Sequence, residues 1–308
     1  MNLVLWQTRF GEYLQVRQFS SRTVDSYVSE LKPFFVFLES LAIEELSSVT
    51  REVIEEYRTH LFYAEHNDKK LSARTQGARL SAIKAFTRFL NRERFLLIDP
   101  AATVELPRVP KFTPPVLLSE EEVERLMGAP NTTTWLGLRD RAILELLYGT
   151  GLRNQELRHL TLEEVDLSRR EIRLRRGKGG EGRVVPLGEE AALWMERYLA
   201  RSRPVMVRMP AEKRVFLSGR GLPLLSMTMG AVVRRAALQA KLDKRVTAHT
   251  LRHCYATHLL RAGAGIRHVQ ALLGHSSLST TQRYTRVEVS DLRVVVAQYH
   301  PRERRPNA

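Results

Sequence analysis

The stretch Thr150-Gly151-Leu152-Arg153-Asn154-Gln155-Glu156-Leu157 sets an arginine between a glycine turn and the start of a predicted helix. Helix N-termini carry free N–H groups that favour anions, and a guanidinium there can grip a phosphate bidentately. Taken alone, Arg153 suits a surface pair with Glu156 at least as well. Lys178 sits in the turn Gly177-Lys178-Gly179-Gly180, where it can reach into a groove and deliver a proton, or serve only as a solvated turn residue. In His249-Thr250-Leu251-Arg252-His253, His249 and Arg252 share a face if a helix begins there. Imidazole beside guanidinium suits phosphate oxygens, and two adjacent cations are costly for stability alone. His253 and His258 read as structural, and Cys254 as a small core residue. His275 follows the helix-ending Gly274, and Tyr284 comes further along. As one of nine tyrosines, Tyr284 says little by itself. Jointly, two arginines, a lysine and two histidines can surround a phosphate that a tyrosine hydroxyl attacks.

The rest of the composition narrows the chemistry. No G-x-x-x-x-G-K-[ST] loop, no strand-linked G-x-G-x-x-G and no H-E-x-x-H occurs, so neither ATP use nor a catalytic metal is expected. The single cysteine excludes a disulfide framework and fits a reducing, cytoplasmic setting. No apolar run of about 18 residues is present, and the N-terminus lacks a signal-peptide pattern, so no membrane association is expected. The chain carries 49 Lys+Arg against 34 Asp+Glu, a formal charge of +15 that favours a polyanionic partner. Residues 1–110 are nearly neutral at +1, and residues 111–308 carry +14.

These residues need two domains to position them, as expected for 308 residues. Residues 1–104 read as helical throughout, with no strand pattern. Val24, Tyr27, Val28, Leu31, Phe34, Phe35 and Leu38 mark one apolar helix face. A second helix follows Thr50, and a third runs over about 72–91 with Leu80, Ile83, Phe86 and Leu90 inward. Pro107, Pro110, Pro114 and Pro115 make residues 105–116 an extended linker. Residues 117–300 read as a mixed domain opening on a Ser119–Glu122 capping box. A helix over about 139–148 and a short one capped by Thr161 and Glu164 precede a hairpin of 171–174 and 183–185. A further strand is expected at 215–218, then helices at about 228–241, 250–262, 266–273 and 279–284. The tail 301–308 reads as disordered. The fold class is therefore mostly α, with a small antiparallel sheet in an α+β second domain.

Thr150–Leu157, Gly177–Leu187, His249–Leu260 and Leu272–Val287, in this order and spacing, resemble the motifs of the tyrosine site-specific recombinases of the phage integrase family. The resemblance spans essentially the whole chain and is nearest to the short Xer-type members. It implies a SAM-like, core-binding first domain and a tyrosine-recombinase catalytic domain. Carried over by position, it implies Arg153 and Arg252 as catalytic arginines and Lys178 as the hairpin lysine. His249 opens the H-x-x-R pair, His275 is the second histidine, and Tyr284 is the nucleophile. Gln155 stands where a small residue is common and Tyr255 where phenylalanine is, and Arg283 and Arg286 are more basic than the pattern.

The resemblance implies metal- and ATP-independent cutting and rejoining of double-stranded DNA through a 3′-phosphotyrosine intermediate and a Holliday junction, without cofactors. Four protomers on two sites are implied, as a homo- or heterotetramer with a possible partner recombinase. No arm-binding segment is expected before the helical domain, which favours Xer-like resolution of chromosome or plasmid dimers. Integration or excision of a mobile element is the alternative. A type IB topoisomerase or a catalytically silent DNA-binding protein is a remoter reading. The apolar segment Leu292, Val294, Val295 and Val296 either docks on a neighbouring protomer or packs on its own domain. Within the first domain, residues 1–68 carry −5 and residues 69–94 carry +7. Arg74, Arg79, Lys84 and Arg88 are therefore expected to face DNA, joined by Arg175, Arg176 and Arg283 in the second domain.

Overall fold

The computed structural model describes residues 3–66, 69–109, 116–174, 182–274 and 289–303. Two compact units divide the chain, Met1–Thr113 and Pro114–Ala308. In the first, α1 (Leu3–Val16), α2 (Ser21–Ser40), α3 (Arg51–Tyr63) and α4 (Ala73–Arg92) enclose an aromatic core. Phe10 meets Phe86 edge-on at 5.4 Å between ring centroids, and Phe34 meets Tyr57 at 5.0 Å. Such pairs add directional attraction to the area they bury. Ser20 and Ser72 start α2 and α4 by accepting from Thr23 N and Thr75 N at 3.2 and 3.1 Å.

The first unit is not wholly helical. Strands β1 (Glu65–His66) and β2 (Lys69–Lys70) form a two-residue antiparallel ladder between α3 and α4. So short a ladder leaves no period-two pattern to read.

The second unit is built around α6 (Trp135–Thr150), which is buried on every side over Gly137–Thr150 except at Arg141. It follows α5 (Glu120–Gly128), whose Ser119–Glu122 capping box is present: Ser119 N donates to Glu122 at 2.7 Å, and Glu122 N to Ser119 Oγ at 3.2 Å. An all-round buried helix must pair its charges, and this one does. Arg139 donates to Asp140 Oδ1 at 2.6 and 2.9 Å and to the Leu217 carbonyl at 2.9 Å. Glu145 accepts from Arg141 and Arg302.

After α6 come α7 (Asn154–His159) and a three-stranded antiparallel sheet, ordered β3 (Val165–Asp166), β4 (Glu171–Leu174) and β5 (Arg183–Pro186). Ile172 faces Val185 across the β4–β5 pair, both fully buried. The expected strand at 215–218 is a correction. Only isolated bridges occur there, because Val215 N is taken by the Leu160 carbonyl and Ser218 N by the Leu222 carbonyl in a tight turn. A long helical run also went unread: α8 (Glu189–Arg197), one π turn over Tyr198–Ser202 and α9 (Arg203–Met206).

The last elements are α10 (Ser226–Gln239), α11 (Ala248–Arg261), α12 (Ile266–Leu273) and α13 (Val289–Tyr299). The helix expected at 279–284 lies outside the described residues. Leu292, Val295 and Val296 are buried in the core of their own unit, while Val294 is exposed, so α13 packs in cis. The expected disorder of the tail is corrected for residues 301–303. Arg302 donates to Glu145 at 2.7 Å, and Glu303 accepts from Glu189 N at 2.7 Å, capping α8. Burial at that cap raises the Glu303 carboxyl.

Candidate active site

Arg153 is the N-cap of α7, two residues after Gly151, which ends α6 in the left-handed conformation at φ +62°. A Cβ at Gly151 would lie 2.6 Å from Tyr255 Cδ1, so only glycine suits this turn. Glu156 closes a capping box on α7 by accepting from Arg153 N at 2.7 Å. It also accepts from Arg153 Nη1 at 2.9 Å, so the surface pair weighed from the sequence does form. The pairing is not the end of the matter, because Arg153 Nη2 reaches across to the Gly274 carbonyl at 3.0 Å.

Arg252 lies on the first turns of α11, which Thr247 caps by accepting from Thr250 N at 3.1 Å. Its side chain is buried, and it donates to the Gly151 carbonyl and, at 2.7 Å, to the Leu273 carbonyl. Burial, reinforced by the nearby Arg153 charge, lowers the Arg252 guanidinium to about 10, so it remains a cation at neutral pH. His249 sits one turn earlier on α11 and is exposed. Two guanidiniums thus meet at the carbonyls ending α12, where Gly274 adopts φ +63°. His275 is the next residue along the chain.

Sequence reasoning saw Glu156 only as a rival partner and missed Arg183 altogether. Arg183, the first residue of β5, donates to both oxygens of Glu156 at 2.8 and 2.9 Å. Burial raises the Glu156 carboxyl, but the hydrogen bonds and charges of Arg183 and Arg153 outweigh it and hold the group at about 2. The Arg153–Glu156 capping-box spacing was a readable signal, whereas nothing in the strand pattern marks Arg183.

Lys178, His275 and Tyr284 lie outside the described residues, as do Arg175, Arg176 and Arg283. In the first unit, Arg74 and Arg88 are exposed on α4. Arg79 is partly buried, its Nε 3.7 Å from Glu30. Lys84, also expected to face DNA, is engaged within its own unit. Its ammonium donates to the carbonyls of Ala101, Ala102 and Val104 at 2.8, 3.0 and 2.7 Å, which uses its three donors.

Two structural readings are borne out. Cys254 is buried and accepts from Leu118 N at 3.3 Å. His258 is buried between the Leu118 carbonyl at 2.9 Å and the Tyr148 hydroxyl at 2.8 Å. The carbonyl can only accept, so Nε2 carries the proton.

Residues 117–290 match the phage integrase family, and residues 8–94 match its N-terminal SAM-like domain. The chain belongs to the phage integrase family. It is a tyrosine recombinase, an enzyme of site-specific DNA strand breakage and rejoining, and is similar to curated Xer proteins along most of its length. It is 39% identical to tyrosine recombinase XerC 2 of Ralstonia nicotianae over 291 residues, covering 94% of this chain and 84% of that protein. It is 36% identical to tyrosine recombinase XerD of Staphylococcus epidermidis over 299 residues, covering 96% and 99%. The lambda integrase tetramer bound to a Holliday junction shares its fold, with a TM-score of 0.67 at 19% identity, covering 93% and 80% of the two chains. No helix among the described residues is long and apolar enough to cross a membrane.

Proposed function

We propose that this recombinase acts on double-stranded DNA through the six residues Arg153, Lys178, His249, Arg252, His275 and Tyr284, in Xer-like resolution of chromosome or plasmid dimers. The observation that carries the reading is the convergence of Arg153 and Arg252 on the carbonyls of residues 273 and 274. Two guanidiniums held this way have a natural exchange partner in the non-bridging oxygens of a phosphodiester.

The Tyr284 hydroxyl attacks the scissile phosphorus, forming a 3′-phosphotyrosine bond as the bond to the 5′-oxygen breaks. Arg153 and Arg252 stabilise the charge that builds on the non-bridging oxygens in the transition state. Lys178 gives the leaving 5′-oxygen its proton, and His249 assists removal of the tyrosine proton. His275 hydrogen-bonds the phosphate. The phosphotyrosine conserves the phosphodiester's energy, so a new 5′-hydroxyl can rejoin the strand without ATP.

Joining two duplexes calls for four protomers, alike or paired with a partner recombinase, which the lambda integrase assembly supports by analogy of fold. Arg74 and Arg88 on α4, with Arg175, Arg176 and Arg283, contact the DNA backbone. A duplex DNA substrate and the single cysteine support a cytoplasmic setting. The decisive experiment incubates Tyr284→Phe with a nicked suicide duplex carrying the target site. Binding should persist while covalent adducts vanish, and any adduct with this variant would overturn the assignment.

A further inference from the structure

Glu156 is shared by two arginines, and only one of them has been given work. Its carboxylate accepts from Arg153 N and Nη1 on one side and from Arg183 Nη1 and Nη2 on the other. Arg183 also lies against the second support of Arg153. A Cβ built on Gly274 would fall 2.8 Å from Arg183 Cζ, and the Gly274 carbonyl is the one that receives Arg153 Nη2. The two supports that hold Arg153, the Glu156 carboxylate and the Gly274 backbone, therefore both touch the Arg183 guanidinium. Arg153 is the more exposed of the pair, at 45% against 20% for Arg183.

Charge balance gives this arrangement a consequence. With Arg183 present, one carboxylate serves two guanidiniums, and Arg153 retains net positive charge toward solvent. Without it, Glu156 would neutralise Arg153 as a simple ion pair and compete with an incoming phosphate. Gly274 would also lose the group packed against its backbone.

We propose that Arg183 is a positioning residue for Arg153: by satisfying Glu156 and bracing Gly274 it keeps the Arg153 charge free and directed at the scissile phosphate. The inference rests on the reading of Arg153 as a phosphate-binding cation.

The test compares full-length wild type, Arg183→Met, Arg183→Lys, Arg153→Met and the double Arg153→Met/Arg183→Met variant. Each is given a suicide duplex with either a phosphodiester or an uncharged methylphosphonate at the scissile position. Arg183→Met should bind DNA within about threefold of wild type yet cleave the phosphodiester roughly 10- to 100-fold more slowly. On the methylphosphonate, where less charge needs stabilising, its deficit should shrink to within about threefold of wild type. The double variant should be no slower than Arg153→Met, because residues acting as a unit are not additive. Arg183→Lys keeps the charge but cannot span both carboxylate oxygens. It should fall between wild type and Arg183→Met, and it keeps the comparison open if Arg183→Met is unstable.

Equal losses on both substrates, or additive losses in the double variant, would overturn the proposal. So would an unimpaired Arg183→Met beside a slow Arg153→Met. A wild-type rate for Arg153→Met would instead sink the reading of Arg153, and the bracing role with it.

Discussion

Glu156 and Tyr255 lie within one turn of the two candidate arginines and carry opposite kinds of electrostatic consequence. Glu156 is held at about 2, below the ordinary carboxylate value of 4.5. A depressed folded-state value contributes stability that is complete above the unfolded value and is lost as the pH falls toward the folded one. Thermal melts of wild type and Glu156→Gln should therefore differ at neutral pH and converge between about pH 4.5 and 2, wild type losing its advantage. Tyr255 is fully buried, and its hydroxyl has no hydrogen-bond partner among the described residues. Burial pushes that hydroxyl well above the ordinary tyrosine range. An unsatisfied buried hydroxyl costs about 1–3 kcal/mol. Tyr255→Phe should raise the unfolding free energy by about 1 kcal/mol, as read by chemical denaturation. A loss of stability would mean that the hydroxyl is satisfied in solution.

Helix α4 separates two kinds of basic residue that the sequence alone presents alike. Arg74 and Arg88 are exposed and form no ion pair among the described residues, whereas Lys84 ties the chain after α4 back to the helix through three carbonyls. Arg74→Glu and Arg88→Glu should each weaken duplex binding and flatten the plot of log affinity against log salt by about one unit of slope. Lys84→Met should leave that slope unchanged. It should instead destabilise the N-terminal unit by about 2 kcal/mol, because three carbonyls lose a charged donor. Salt titrations of DNA binding and urea melts distinguish the two effects. A changed slope for Lys84→Met would mean that its ammonium leaves the carbonyls for phosphate.

Across the whole molecule, net charge is concentrated in the C-terminal unit. Most of the net +15 falls on residues 111–308, and the same region folds its own end back into its core. Leu292, Val295 and Val296 join that core, and Arg302 shares the buried Glu145 with Arg141. His300 lies 4.9 Å from the Tyr148 ring, and Glu303 caps α8. Deleting residues 290–308 should lower the melting temperature of the catalytic unit markedly, since each buried aliphatic side chain contributes about 1.5–3 kcal/mol. Arg302→Met alone should cost about 1–2 kcal/mol, the remaining Arg141 limiting the loss. A deletion variant that melts with wild type would show that the cis packing of α13 carries no stability in solution.

Much of this protein was legible as pattern. Local rules placed α2, α4, α5 and the β4–β5 pair, because amphipathic spacing, serine caps and strand alternation are written in consecutive residues. The H-x-x-R spacing likewise put His249 and Arg252 on one helix. Local rules could not reveal β1 and β2, which are too short for a period, or that the 215–218 segment forms no strand, since its donors are taken by Leu160 and Leu222 rather than by a neighbouring strand. They also presented Lys84 as a surface cation and Arg183 as an ordinary strand residue. Which acceptor a long, flexible cation finds depends on carbonyls and carboxylates brought near by folding. The types of the six chemical residues were set by the sequence. The partners of Lys84, the cis seat of α13 and the Arg153–Glu156–Arg183 cluster were decided by tertiary structure, because each joins segments that no local pattern relates.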